Sequence, residues 1–124
     1  SWDNGEGIIF YQDISVDDTF MFTINQRVKN NTNNAVTLYP YGLIRRTGEP
    51  ETTKFFVLHE GPLGVFDGTL SEKSYEDLAE SGQKGINIKP AESGGWTGLT
   101  DKYWMTALLP DQNEKYSFTY RYVN

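Results

Sequence analysis

Cysteine is absent from the 124 residues, which excludes disulfide bonds, zinc–thiolate sites and thiol nucleophiles. Positive charge is scarce, because 11 Lys and Arg face 17 Asp and Glu and leave a formal net charge of -6. Such a chain repels polyanions, so nucleic acid is not expected as a partner. No apolar run approaches the roughly 20 residues that cross a bilayer. Since the chain starts at Ser1 without a signal-peptide pattern, we interpret it as a piece of a longer protein.

Aromatic residues are plentiful, in contrast to cysteine and to positively charged residues. They make up 15% of the sequence, with seven Phe, eight Tyr and three Trp. Aromatic side chains favour strands over helices, so the composition indicates an all-β protein. A length of 124 residues is typical of one domain, and we predict a single domain over residues 1–124.

Apolar and polar residues alternate with a period of two, most clearly in residues 20–28, and this pattern predicts strands. The Asn-rich run 30–34 is predicted to turn the chain back, so that strand 20–28 pairs with a returning strand 35–44. One short helix is predicted at 74–80, where Ser74 and Asp77 have the spacing of a capping box. The further predicted strands are residues 7–13, 54–58, 64–70, 85–89, 103–109 and 115–123.

Catalytic chemistry finds little support in the sequence. The only histidine, His59, stands beside Gly61 and Pro62, and we interpret this segment as a turn in which the imidazole makes a structural hydrogen bond. No spacing selects a pair of carboxylates for acid–base work, and Asp67 lacks the further ligands of a calcium loop. We therefore predict no catalytic residue, no metal site, no cofactor and no enzymatic activity.

Three aromatic residues are the candidates for binding: Trp96, Tyr103 and Trp104. Their rings offer large faces for stacking on sugars or on extended peptides. The alternative is core packing, since the alternation in residues 103–109 indicates a strand with both faces at least half buried. The sequence favours core packing and leaves binding as the second possibility.

Three segments carry a resemblance to a known family. They are FVLHEGPLGVFDGTL at residues 56–70, GGWTGLTDKYWMTALLP at 94–110, and VKNN through VTLYPY at 28–41. In these segments the chain resembles the large periplasmic domain of the bacterial YidC insertases, of which it would be the central part. The resemblance implies an antiparallel twisted β-sandwich of the supersandwich, galactose-mutarotase-like type. It also implies a position on the periplasmic side of the bacterial inner membrane, in a parent protein anchored there.

The resemblance implies a non-catalytic interaction or scaffolding module in membrane protein insertion. The implied partners are proteins, either components of the Sec translocon or substrate membrane proteins. The alternative is a carbohydrate-binding β-sandwich that uses Trp96 and Tyr103. A third class, a mutarotase-like enzyme, would need His59 and a carboxylate in one cleft. Unpaired strand edges also predict self-association, with residues 115–123 as the pairing strand.

Overall fold

The computed structural model describes residues 1–48 and 58–123. Antiparallel strands dominate these residues and a single short α-helix accompanies them, which confirms the all-β class. No helix in this part of the chain combines the length and the apolar content needed to span a membrane. The chain divides into two compact units, Ser1–Tyr41 and Gly42–Asn124. The single domain stays a prediction.

The first unit is a three-stranded antiparallel sheet in the order β1-β2-β3. Its strands are β1 (Trp2–Asp3), β2 (Ile8–Val16) and β3 (Phe22–Asn30). The pairs Ile14↔Ile24 and Val16↔Phe22 set the register, so apolar side chains collect on one face. The turn between β2 and β3 is held by Asp17, whose Oδ1 accepts the backbone N–H groups of Thr19 at 2.8 Å and Met21 at 3.0 Å.

The predicted pairing of strand 20–28 with 35–44 is wrong. Strand β3 pairs with β2 instead, and residues 35–48 contain no helix or strand. The Asn-rich turn itself does form, because Asn30 accepts from the Thr32 N–H and donates to the Asn34 carbonyl, both at 2.8 Å. The physical reason for the error is that Pro40 cannot donate to a ladder, whereas β2 offers nine residues in register across a short turn.

The second unit contains a four-stranded sheet in the order β5-β4-β7-β8 and a two-stranded sheet of β6 and β9. The strands are β4 (Gly61–Phe66), β5 (Thr69–Glu72), β6 (Ile86–Ile88), β7 (Trp96–Thr100), β8 (Met105–Leu108) and β9 (Phe118–Tyr120). The helix α1 (Tyr75–Ser81) follows β5 and continues into a 3-10 turn, Gly82–Lys84. As predicted, Ser74 caps the helix in a reciprocal capping box with Asp77.

A small core joins the two sheets of this unit. The rings of Phe66 on β4 and Phe118 on β9 lie 4.8 Å apart, and Leu78 and Tyr120 complete the buried cluster. The Tyr120 hydroxyl also donates to the Leu63 carbonyl at 3.0 Å. Side chains of two sheets thus share one apolar layer, which is the packing of a β-sandwich.

Several predicted strands are shorter than expected or differently arranged. Residues 64–70 form a hairpin rather than one strand, because Asp67 and Gly68 both have positive φ, 52° and 72°, and make a two-residue turn. The expected turn at Gly61 and Pro62 is the start of β4. The strands predicted at 85–89, 103–109 and 115–123 are confirmed in part as β6, β8 and β9. The strand predicted at 54–58 lies, up to residue 57, outside the described residues.

Candidate interaction surface

The Gly94-Gly95-Trp96 segment leads directly into β7. Both glycines have positive φ, 79° and 88°, and a Cβ on Gly95 would stand 2.5 Å from the Val65 carbonyl oxygen. Gln112 holds the segment from the other side, accepting from the Gly95 N–H at 3.1 Å and donating to its carbonyl at 3.0 Å. The glycines therefore allow β7 to start at Trp96, beside β4, which the sequence did not predict.

A tight loop joins β7 to β8. The backbone N–H of Asp101 donates to the Trp104 carbonyl at 2.8 Å, and the N–H of Trp104 donates back at 3.4 Å. The Thr100 hydroxyl adds a bond to the Trp104 carbonyl at 3.3 Å. These hydrogen bonds fix the backbone of the loop, and so they fix the Cα positions from which its side chains extend.

Two of the three predicted binding residues lie on this loop and are exposed. Tyr103 is 78% exposed and Trp104 is 80% exposed, so the prediction of core packing is wrong for both. The reason is that they lie on the loop and not on the strand, which begins only at Met105. Trp96 is half-buried at the opposite end of β7. Tyr103 and Trp104 are therefore consecutive exposed residues of one loop, and Trp96 lies at the other end of β7.

A shallow pocket of about 190 Å³ adjoins the loop. It is lined by Ile44, Arg45, Arg46, Leu99, Asp101, Trp104 and Thr106. The Asp101 carboxylate forms an ion pair with Arg46 and accepts a hydrogen bond from the Tyr75 hydroxyl at 3.1 Å. The sequence prediction missed the two arginines and Tyr75, because only the tertiary structure brings these distant positions together.

Burial raises the pKa of the Tyr75 hydroxyl, while the charge of Arg46 lowers it and that of Glu60 raises it. The hydroxyl is therefore protonated at neutral pH and can act as a donor to Asp101. With Arg46 on its other oxygen, the Asp101 carboxylate is held from two sides. This arrangement fixes the position of the loop rather than supplying a free carboxylate.

Two of the groups considered for acid–base chemistry, His59 and Asp67, are engaged in structural contacts. The Nε2–H of His59 donates to the Pro62 carbonyl at 3.1 Å, as the interpretation of a structural histidine predicts. The Asp67 carboxylate accepts the backbone N–H groups of Ala91 at 3.1 Å and Glu92 at 2.8 Å, which lower its pKa. Within residues 1–48 and 58–123, no three His, Asp or Glu side chains are grouped closely enough to hold a metal ion.

The chain matches a known protein family over its whole length. The model of the YidC periplasmic domain family matches residues 1–124. The chain belongs to this family. Its predicted location on the periplasmic side of the bacterial inner membrane is thereby confirmed. No solved structure matches the chain.

Similar proteins in other bacteria support the assignment to the YidC periplasmic domain family. The membrane protein insertase YidC of Granulibacter bethesdensis is 46% identical over 123 residues, covering 98% of this chain and 21% of its own length. The protein of the same name in Cereibacter sphaeroides is 45% identical over 128 residues, covering 98% of this chain and 20% of its own length. The chain therefore spans about a fifth of the length of these relatives.

Proposed function

We propose that this chain is a non-catalytic interaction module of a membrane protein insertase, whose partners are membrane proteins under insertion or translocon components such as those of the Sec system. The observation that carries the proposal is the family match over residues 1–124, together with relatives that are named insertases. The engagement of His59, Asp67 and Asp101 in structural contacts agrees with a role without catalysis.

The apolar face of the first unit is the surface best suited to a protein partner. It consists of side chains from β2 and β3 that stand on the same side of the sheet: Ile14, Val16, Phe22, Ile24 and Val28. All of them are exposed, with Phe22 at 62% and Ile24 at 53%. Ile14, Val16, Phe22 and Ile24 form a contiguous part of this face, from which the pair Gln12↔Gln26 separates Val28. An exposed apolar surface of this kind is typical of an interaction site. Strand β3 is nine residues long and also lies at the edge of its sheet, where an extended segment can add a strand.

Site-specific photocrosslinking tests this assignment. A crosslinker at Ile24, which faces the apolar side, is expected to capture a membrane protein under insertion when this chain is part of its full-length parent. The matched control is Asn25, the next residue of β3, whose side chain points to the opposite face. Equal capture from both positions, or crosslinks from Ile24 that remain within its own polypeptide, would contradict the apolar face as a partner site.

Self-association is proposed through β3 rather than through residues 115–123. Of the latter residues only Phe118–Tyr120 form a strand, and the side chains at both its ends are buried in the core. All nine residues of β3 are exposed. Light scattering over a range of protein concentrations is expected to show dimers that weaken when Ile24 is changed to Lys, because a charge on the strand opposes edge-to-edge pairing. A monomer at every concentration would contradict this.

A carbohydrate-binding function is the second candidate, and the exposure of Tyr103 and Trp104 favours it. The predicted pair of Trp96 and Tyr103 does not form one platform, because β7 separates them by about 13 Å of extended chain. A glycan titration followed by Trp fluorescence separates the two functions. Saturable quenching that disappears in Trp104→Phe supports sugar binding, whereas an unchanged spectrum with a range of oligosaccharides removes it.

A further inference from the structure

We propose that the loop between β7 and β8 is a lipid-contact site that inserts Tyr103 and Trp104 into the headgroup region of an anionic membrane. We call Lys102, Tyr103, Trp104 and Arg45 the aromatic-basic tip. Lys102, Tyr103 and Trp104 stand on the loop, and Arg45 lines the pocket that Trp104 also lines. This inference concerns a lipid surface and is independent of the protein contacts proposed for the first unit.

The aromatic part of the tip has the chemistry of a membrane interface. Tyr and Trp carry an apolar ring with one polar group, and they concentrate where the hydrocarbon region meets the headgroups. Tyr103 and Trp104 are neighbours in the chain and both are about four-fifths exposed, at 78% and 80%. Consecutive residues of one loop thus expose two aromatic side chains that suit the boundary between water and lipid.

The charged part of the tip is complementary to anionic headgroups. Three cationic side chains, Arg45, Arg46 and Lys102, belong to the pocket and the loop, and the one carboxylate among these residues is Asp101. Asp101 is already engaged by Arg46 and by the Tyr75 hydroxyl, and Glu60 is the further carboxylate that acts on Tyr75. The net charge of -6 opposes binding at long range, but it is screened beyond about 8 Å at physiological ionic strength.

The loop is also held in place before any contact is made. Reciprocal backbone bonds between Asp101 and Trp104 close it, and Thr100 adds a third bond. The Lys102 ammonium lies 5.2 Å from the centre of the Tyr103 ring, so the cation and the ring form one unit. A preorganised loop loses less conformational entropy on binding than a flexible one, which favours even a small contact area.

Because the family is located at the inner membrane, a weak contact between the tip and lipid is sufficient for binding. The chain belongs to a periplasmic domain family at the inner membrane, so a lipid surface is close by. Anchoring of the parent protein in that membrane, which the family resemblance implies, raises the effective concentration of the tip at the surface. Binding of the isolated chain to vesicles does not depend on this anchoring, so it can succeed or fail independently of the crosslinking at Ile24.

Tryptophan fluorescence of the 124-residue chain with vesicles of phosphatidylglycerol and phosphatidylcholine tests the proposal. We expect a blue shift on addition of vesicles, because Trp104 leaves water for the interface. The shift should disappear in Trp104→Phe and persist in Trp2→Phe, since Trp2 is 63% exposed but belongs to the first unit. A shift that survives in Trp104→Phe, or no shift at any lipid concentration, would overturn the proposal.

Vesicle flotation measures how much the charged part and the aromatic part of the tip each contribute to membrane binding. We expect Lys102→Gln and Arg45→Gln each to weaken binding to anionic vesicles about fivefold, the usual contribution of one basic residue at such a surface. Lys29→Gln, on β3 of the first unit, is the matched control and should have no effect. Trp104→Ser should weaken binding to anionic vesicles, whereas Tyr39→Ser, at an equally exposed position of the first unit, should not.

Two further arms identify the source of the contact. Soluble glycerol phosphate should leave the Trp104 spectrum unchanged, because the proposal requires an extended interface rather than a single phosphate. If glycerol phosphate reproduces the vesicle effect, the site binds a free anion and the proposal is wrong. If an apolar peptide shifts the spectrum and vesicles do not, the tip is a peptide site and the proposal is also wrong.

Discussion

Both units of the chain contain strands with apolar residues, but the two units differ in how many of these side chains they bury. The first unit has two nine-residue strands with regular alternation, yet its only buried apolar side chain is Ile8. The second unit has shorter strands, and it buries Phe66, Leu78, Phe118 and Tyr120 in one cluster. Regular alternation therefore produces a strand, but it does not by itself produce a core.

The difference comes from the number of layers in each unit. The first unit is a single sheet, so nothing within it covers the apolar face of β2 and β3. In the second unit, Phe118 of β9 and Leu78 of α1 both pack with Phe66 of β4. A sheet with one apolar face needs a second layer to exclude water, and only the second unit contains one.

The largest expected effect comes from the core of the second unit. Phe118→Ala removes a ring that packs 4.8 Å from Phe66, and we expect a loss of about 4 kcal/mol in the free energy of unfolding. Phe22→Ala, at an exposed position of the first unit, should cost within about 0.5 kcal/mol. Urea denaturation followed by far-UV circular dichroism measures both. Similar losses would contradict the conclusion that the second unit has a buried core and the first unit does not.

Glycines with positive φ sharpen the same comparison. Gly95→Ala combines an unfavourable φ with a Cβ 2.5 Å from the Val65 carbonyl, and we expect a loss of about 3 kcal/mol. Gly5→Ala has a similar φ of 77°, but no atom lies within 4 Å of its Cβ, so a loss of about 1 kcal/mol is expected. Thermal denaturation of the two variants separates strain from steric contact. Equal losses would mean that packing around Gly95 does not matter.

The helix cap is expected to have a smaller effect. Ser74→Ala removes the side-chain acceptor for the Asp77 N–H, which lies 3.0 Å away, and should lower the stability of the second unit by about 1 kcal/mol. Because α1 supplies Leu78 to the core, the loss should appear in the unfolding midpoint of the whole unit. Ser93→Ala, at an exposed position outside the helices and strands, is the control. No difference between the two variants would argue against the capping box.

Acid is expected to weaken a turn in each unit. Hydrogen bonds lower the pKa of Asp17 in the first unit and of Asp67 in the second below the ordinary value of 3.8. Each carboxylate therefore stabilises the fold fully at pH values above the ordinary pKa of 3.8. This contribution is lost as the pH falls through the lowered pKa. Unfolding temperatures measured between about pH 5 and pH 2 should fall in wild type and depend less on pH in Asp67→Asn. If the unfolding temperature of that variant depends on pH as strongly as that of wild type, the assigned role of Asp67 is contradicted.

The local features of the fold were predictable from the sequence. The alternation in residues 20–28 predicted β3, and the spacing of Ser74 and Asp77 predicted the capped helix α1. The Asp67-Gly68 pair is a standard signal for a two-residue hairpin turn, so the division of strand 64–70 into β4 and β5 was readable but missed. These features depend on neighbouring residues, which is why the sequence carries them directly.

The candidate site was predictable only in part. Tyr103 and Trp104 were named as binding candidates, but their exposure depends on a loop that ends β7 at Thr100 and starts β8 at Met105. The ion pair between Arg46 and Asp101 joins residues far apart in the chain, and no local pattern indicates it. Such contacts appear only when the sheet brings the segments together.

The sequence by itself determined the class of the protein, the strand and helix segments with strong local patterns, and its membership of the YidC periplasmic domain family. The tertiary structure alone decided that β3 pairs with β2, and that Tyr103 and Trp104 face the solvent while Phe118 is buried. The physical reason is that local propensity acts over a few residues. Strand pairing and burial depend instead on which distant segment supplies the partner strand or the covering layer.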